Sequence, residues 1–79
     1  MRELVITFHT HFGAMKLYKS LKKQGVAARM CPVPRALSSD CGSCERASWN
    51  GREEELLTPD AEAVYLDTGS GYTLLVSEE

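Results

Sequence analysis

The first 33 residues carry a strand, helix and strand pattern that constrains the fold more than any other feature of the chain. Apolar residues Leu4, Ile6 and Phe8 alternate with Val5 and Thr7. A period of two is typical of a strand, and the apolar character of both sets is typical of a strand buried on both sides. The first strand is therefore predicted over residues 3–8.

A helix and a second strand follow directly. Thr10 supplies an N-cap oxygen, and apolar residues continue at helical spacing, namely Ala14, Leu17, Tyr18 and Leu21. Gly25 can take the left-handed conformation that ends a helix. The second strand is predicted from Val26 to Val33. A strand, a helix and a strand within about 30 residues predict a parallel βαβ crossover.

The remainder of the chain gives weaker signals. Residues 45–49 predict a short third strand. Asn50 with Glu53 three residues later predicts a capped short helix that ends before Pro59.

The C-terminal part predicts a hairpin. Residues 63–66 and 72–76 form β-prone runs joined by a glycine-rich turn, and Ser77 to Glu79 are expected to fray. The whole, residues 1–79, is predicted to be one α+β domain, a small two-layer βαβ-based sandwich of ferredoxin-like type. Residues 3–8 and 26–32 are expected to be its central strands.

Charge and composition exclude several classes of partner. The chain has 9 basic and 11 acidic residues and a net charge of −2, so neither nucleic acid nor an anionic membrane surface is expected to bind it. No apolar run approaches the ~20 residues that span a bilayer. We expect a cytoplasmic protein, because three cysteines fit reduced thiols better than a secreted disulfide framework.

All three cysteines fall in one loop-like segment, residues 31–44, which contains two prolines and a Ser-Ser-Asp run. The segment follows a strand, and ligand sites of open α/β sheets lie beyond the carboxyl ends of strands. Cys41 and Cys44 are three residues apart, a spacing that lets two sulfurs meet across one turn. A reactive thiol is the first hypothesis, and inert, half-buried cysteines are its alternative.

About the first 45 residues carry an ordered set of motifs, namely Phe8, Thr10, Ala14, Leu21-Lys22, Gly25, Pro32-Val-Pro34-Arg35, Ser38-Ser39 and Cys41-Gly42. This order resembles the Se/S carrier-like family, small bacterial proteins often encountered among genes of selenium metabolism. By this resemblance Cys41 carries sulfur or selenium, and protein donors and acceptors of sulfur or selenium are its partners. Cys44 departs from the family pattern and introduces dithiol chemistry.

A second, shorter resemblance concerns Cys31. The run Cys31-Pro-Val-Pro34 is similar to the Cys-Pro-x-Pro motif of bacterial sulfur-relay carriers. In those carriers the motif follows the first strand, whereas here it follows the second. Cys31 is therefore considered only as a partner thiol.

The expected chemistry is transpersulfidation without a cofactor, by a carrier rather than a stand-alone enzyme. Cys41 and Cys44 are the candidate reactive residues. The candidate binding residues are Arg35, Ser38, Ser39, Gly42 and His11. Arg35 and Arg46 are expected to favour the Cys41 thiolate, and Asp40 to disfavour it.

Other functions remain open at this stage. Cys41 and Cys44 fit a redox module, and the three cysteines with His9 or His11 fit a weak zinc site. A partner-binding module with inert cysteines is the third alternative. The sequence also leaves open whether the chain forms a homodimer.

Overall fold

The computed structural model describes residues 2–39 and 41–78. Its elements, in chain order, are β1 (Arg2–Phe8), α1 (His11–Lys23), β2 (Ala28–Pro32), β3 (Ser43–Trp49), a 3-10 helix (Glu53–Leu56), β4 (Ala61–Asp67) and β5 (Tyr72–Ser77). In this part of the chain no helix combines the length and the apolar character needed to cross a membrane.

The five strands form one sheet in the order β2-β3-β1-β4-β5, and every neighbouring pair is antiparallel. Because β3 is antiparallel to both β1 and β2, those two strands run parallel with β3 between them. The central position of β1 is as expected. The central position predicted for β2 is wrong, because β2 lies at the edge and β3 fills the place beside β1.

The α+β class is confirmed, since one helix accompanies a five-stranded antiparallel sheet. A ferredoxin-like fold has a helix in each of its two crossovers. Within the described ranges the connection from β3 to β4 carries only the 3-10 helix Glu53–Leu56. The ferredoxin-like topology is therefore not confirmed.

The core lies between α1 and one face of the sheet, which we call the helix face. Leu4, Ile6 and Phe8 of β1 point to this face and are fully buried. They pack in one cluster with Ala14, Leu17 and Leu21 of α1 and Ala47 of β3. Apolar side chains of this size contribute about 1.5–3 kcal/mol each when buried. Burial of this cluster therefore holds α1 on the sheet.

The limits of α1 follow from its caps, as predicted. The Thr10 hydroxyl accepts a hydrogen bond from the Gly13 N–H at 3.0 Å. At the other end Gly25 has a φ of +77°, a conformation that few other residues adopt cheaply. Its N–H donates to the Lys22 carbonyl at 3.1 Å, which satisfies one of the last helical acceptors.

The structure after β3 corrects the predicted helix cap. Arg52, not Asn50, occupies the position before the 3-10 helix, and no side chain of the described residues caps that helix. The predicted hairpin is present as β4 and β5, and Asp67 pairs with Tyr72 at its turn.

The expected fraying is wrong for the two tail residues that the structure describes. Ser77 belongs to β5, and the Glu78 N–H donates to the Glu62 carbonyl at 3.0 Å. Glu79, the last residue of the predicted tail, lies outside the described residues.

Candidate functional site

The segment between β2 and β3 is anchored at the carboxyl ends of β1 and β2. The Ser39 hydroxyl donates to the Phe8 carbonyl at 2.7 Å, at the end of β1. The Val33 N–H donates to the Gly42 carbonyl at 3.1 Å, which closes the base of the segment. Gly42 has a φ of +74°, so the chain can reverse there and enter β3.

Cys41 lies just before this reversal, half-buried against the core cluster. Its thiol donates to the Ser43 carbonyl at 3.2 Å, and the Ser43 N–H approaches the same sulfur at 3.4 Å. The Ser39 hydroxyl lies 4.0 Å from the sulfur. The Ser39 hydroxyl gives its hydrogen to the Phe8 carbonyl, so the Ser43 N–H is the donor that is directed at this sulfur.

The predicted binding residues divide into two groups. Ser39 and Gly42 shape the surroundings of Cys41 directly, as described above. Arg35 and Ser38 are exposed on the segment, and His11 is exposed on the first turn of α1. Among the described residues, no hydrogen bond joins any of these three to a cysteine. His11, a candidate binding residue, thus makes no hydrogen bond to a thiol in the described part of the chain.

Cys44 does not share a turn with Cys41, because β3 begins at Ser43 and Cys44 is its second residue. Successive side chains of a strand point to opposite faces. Glu45 and Ala47 face the helix, so Cys44 points to the opposite side, which we call the outer face. There Cys44 is paired with Cys31 of β2, and the two sulfurs are 3.4 Å apart.

Burial makes the Cys44 thiol difficult to ionise. It is fully buried, and burial raises its pKa to about 12. The hydrogen bond with Cys31 and the charge of Cys31 act in the same direction, while the charge of Arg46 lowers the pKa. A thiol in this state stays protonated at neutral pH, and the protonated form is not the nucleophile.

Arg46 lies on the outer face with Cys44, not beside Cys41. Its guanidinium donates to the Asp67 carboxylate at 3.0 Å and to the Tyr72 hydroxyl at 2.9 Å. Its expected role in favouring the Cys41 thiolate therefore has no support from the geometry. Asp40, expected to oppose ionisation of Cys41, lies outside the described residues.

Sequence reasoning missed Glu45, which lies opposite Ile6 on the helix face of β3. Its side chain is fully buried, and neither carboxylate oxygen has a hydrogen-bond partner among residues 2–39 and 41–78. Burial raises its pKa to about 7. Once β3 is placed beside β1, alternation with Ala47 puts Glu45 in the core. Sequence reasoning missed Glu45 because its burial depends on the pairing of β3 with β1, which no local sequence pattern indicates.

A zinc site is not assembled in the part of the chain that the structure describes. No group of three or more histidine, cysteine, aspartate or glutamate side chains in it can hold a metal ion. The two sulfurs of Cys31 and Cys44 form a pair on the outer face. His9 instead contacts the carboxylates of Glu78 at 2.8 Å and of Glu62 at 3.5 Å.

Two surface clefts lie apart from the cysteines. One, of about 530 Å³, lies between α1 and the 3-10 helix and is lined in part by Lys16, Trp49 and Glu55. The other, of about 430 Å³, is lined in part by Arg29 and Arg46 on the outer face. Neither is lined by a cysteine. The candidate thiol therefore lies outside both clefts.

Comparison with known proteins relates this arrangement to one family. The sequence model of the family described as "Putative Se/S carrier protein-like" matches residues 3–58, which is more than half of the chain. "Uncharacterized protein YtiA" of Escherichia coli (strain K12) is 34% identical over 44 residues, or 56% of this chain. The chain thereby spans 52% of that curated relative. No solved structure matches. The family match includes the strand, the helix and the whole cysteine segment, and the chain belongs to the Se/S carrier-like family.

Proposed function

We propose that the protein is a sulfur or selenium carrier that holds a persulfide or selenopersulfide on Cys41 and passes it to an acceptor protein. The family supports a carrier of these elements. The observation that carries the proposal is the placement of Cys41, half-buried on a loop beside the Ser43 N–H. A partner can reach a sulfur in this position, and the Ser43 N–H can donate a hydrogen bond to a sulfur atom held there.

The reaction proceeds by two exchanges at sulfur. The Cys41 thiolate attacks the outer sulfur of the donor persulfide, and the donor thiolate leaves. In the second exchange an acceptor thiolate attacks the outer sulfur on Cys41, and the Cys41 thiolate leaves. Each exchange forms one sulfur bond and breaks one, so neither an oxidant nor a reductant is consumed. Selenium follows the same route when a selenopersulfide is carried.

The other two thiols are less suited to carry sulfur. Cys44 is fully buried with a raised pKa, so it is neither accessible nor ionised at neutral pH. Cys31 is half-buried, but its sulfur lies 3.4 Å from that of Cys44. A persulfide on Cys31 would meet a second thiol at once and lose its sulfur as hydrosulfide. Cys41 avoids this loss because Cys44 points to the other face of the sheet.

The partners are a protein donor and a protein acceptor that meet the loop at the carboxyl ends of β1 and β2. Arg35, Ser38 and His11 are exposed around this end of the molecule and supply polar groups for docking. A cytoplasmic location suits the function, because thiols stay reduced there.

Mass spectrometry of the intact chain after incubation with a cysteine desulfurase and cysteine tests the proposal. We expect the wild type to gain the mass of one sulfur atom and Cys41→Ala to gain none. The matched controls Cys31→Ala and Cys44→Ala should still load, because both leave the Cys41 loop unchanged. Undiminished loading of Cys41→Ala would overturn the assignment.

A further inference from the structure

Cys31 and Cys44 lie directly opposite each other on neighbouring strands. They are register partners of β2 and β3, and their sulfurs are 3.4 Å apart. Residues opposed in an antiparallel pair have Cα atoms about 4.5–5.5 Å apart, a separation within the range that disulfides span. The two sulfurs therefore need only move closer together to form a bond, and the register of the strands does not have to shift.

The two thiols differ in access to solvent. Cys31 lies on the edge strand and is half-buried, whereas Cys44 has 0% of its surface exposed. A reagent from solution therefore meets Cys31 first. Cys44 can react only with a group that is already bonded to Cys31, and its sulfur is close enough to the Cys31 sulfur for that reaction.

We propose that Cys31 and Cys44 form a second thiol site, separate from Cys41, which a low-molecular-weight disulfide oxidises to a cross-strand disulfide. The Cys31 thiolate attacks the small disulfide and releases one thiolate, which leaves a mixed disulfide on Cys31. The Cys44 sulfur then attacks Cys31 and expels the second small thiol, which takes the Cys44 proton. Two protein thiols are oxidised, and one small disulfide is reduced to two thiols. The site operates whether or not Cys41 carries sulfur.

The position of the pair gives the disulfide a structural effect on the Cys41 loop. Pro32 ends β2 and Ser43 begins β3, so the pair lies at the base of the segment that carries Cys41. In the reduced form this base is held by hydrogen bonds such as that from Val33 to Gly42. The disulfide adds a covalent link at the same place and restricts opening of the loop.

Peptide mapping under non-reducing conditions tests the proposal on the full chain. The reduced protein is titrated with oxidised glutathione, the remaining thiols are alkylated, and trypsin is added. Cleavage after Arg29, Arg35 and Arg46 places Cys31 in residues 30–35 and Cys41 with Cys44 in residues 36–46. We expect these two peptides to be recovered linked by a disulfide.

Two variants assign the link to the correct sulfurs. Cys41→Ser should give the same linked peptides, because Cys41 takes no part. Cys31→Ser, a change at the half-exposed position, should give no internal disulfide and show at most a mixed disulfide with glutathione. A disulfide within residues 36–46 would overturn the proposal, and so would glutathione that stays on Cys31 of the wild type. Sulfur loading of Cys41 is measured separately, so either proposal can fail alone.

Discussion

The helix face and the outer face of the sheet differ in whether their polar side chains have interaction partners. On the outer face Arg46 is bound by Asp67 and by Tyr72, and Cys44 contacts Cys31. On the helix face Glu45 is buried among apolar residues, and its carboxylate has no hydrogen-bond partner in the described part of the chain. Glu45 lies between Cys44 and Arg46 in the sequence. Their different surroundings show that the strand pleat, more than nearness in the chain, decides which groups can act together.

The same difference separates the thiols. Cys41 lies at the rim of the helix face and packs against its core cluster. Cys44, three residues later, belongs to the outer face and to the pair with Cys31. The candidate carrier thiol of Cys41 is thus separated from the Cys44 thiol, which could otherwise release the sulfur from a persulfide on Cys41. The following predictions compare the two faces, from the largest expected effect to the smallest.

Alkylation should distinguish the thiols of the two faces most strongly. At pH 8 a thiol with a pKa of about 12 instead of 9.0 has roughly 10³-fold less thiolate. We expect Cys44 to react with iodoacetamide at least this much more slowly than it would as an unburied thiol, and Cys41 to be the fastest of the three. Time-resolved labelling of the folded wild type, followed by fragment sequencing of the tryptic peptides, measures each rate. Comparable rates for Cys41 and Cys44 would remove the distinction between the faces.

Truncation of leucines should show that the helix face supplies the stability. Leu21 of α1 is 1% exposed, whereas Leu74 is 53% exposed on β5. We expect Leu21→Ala to lower the free energy of unfolding by about 2–5 kcal/mol, because it leaves a cavity in the core. Leu74→Ala is the matched control and should change it by less than about 0.5 kcal/mol. Urea denaturation measures both, and equal losses would mean that the outer face is covered as well.

Glu45 should make stability depend on pH. Its pKa is raised from 4.5 to about 7 in the folded state, so the folded chain binds more protons than the unfolded chain between these values. The contribution of Glu45 to the free energy of unfolding is therefore greatest below about pH 4.5 and is lost as the pH rises from there to about 7. Linkage gives a loss of about 3 kcal/mol over this window.

Substitution of Glu45 isolates this effect. In Glu45→Gln the fall in unfolding free energy between these two pH values should disappear, as measured by urea denaturation across pH. Glu3→Gln is the control, since Glu3 is an exposed carboxylate that accepts a hydrogen bond from Ser48. An unchanged pH dependence in Glu45→Gln would show that the carboxylate has a partner in solution.

Local patterns of the sequence were sufficient for β1, for α1 and for the C-terminal hairpin. Alternation over Leu4 to Phe8 and the caps at Thr10 and Gly25 act within a few residues, so a linear reading detects them. The order of motifs around Cys41 was likewise enough to indicate the family, which the family match confirms. These properties depend on composition and spacing along the chain alone.

Only the tertiary structure decided which groups are neighbours. Five of the seven residues of β3 are polar or cysteine, so nothing local predicts its place between β1 and β2. Once β3 lies between these two strands, its register pairs Cys44 with Cys31 and places Glu45 beside Ile6. The physical reason is that strand pairing joins residues far apart in sequence, and a shift of one residue would exchange the two faces. Cys41 and Cys44 are separated by that register, although their spacing in the chain suggests a pair.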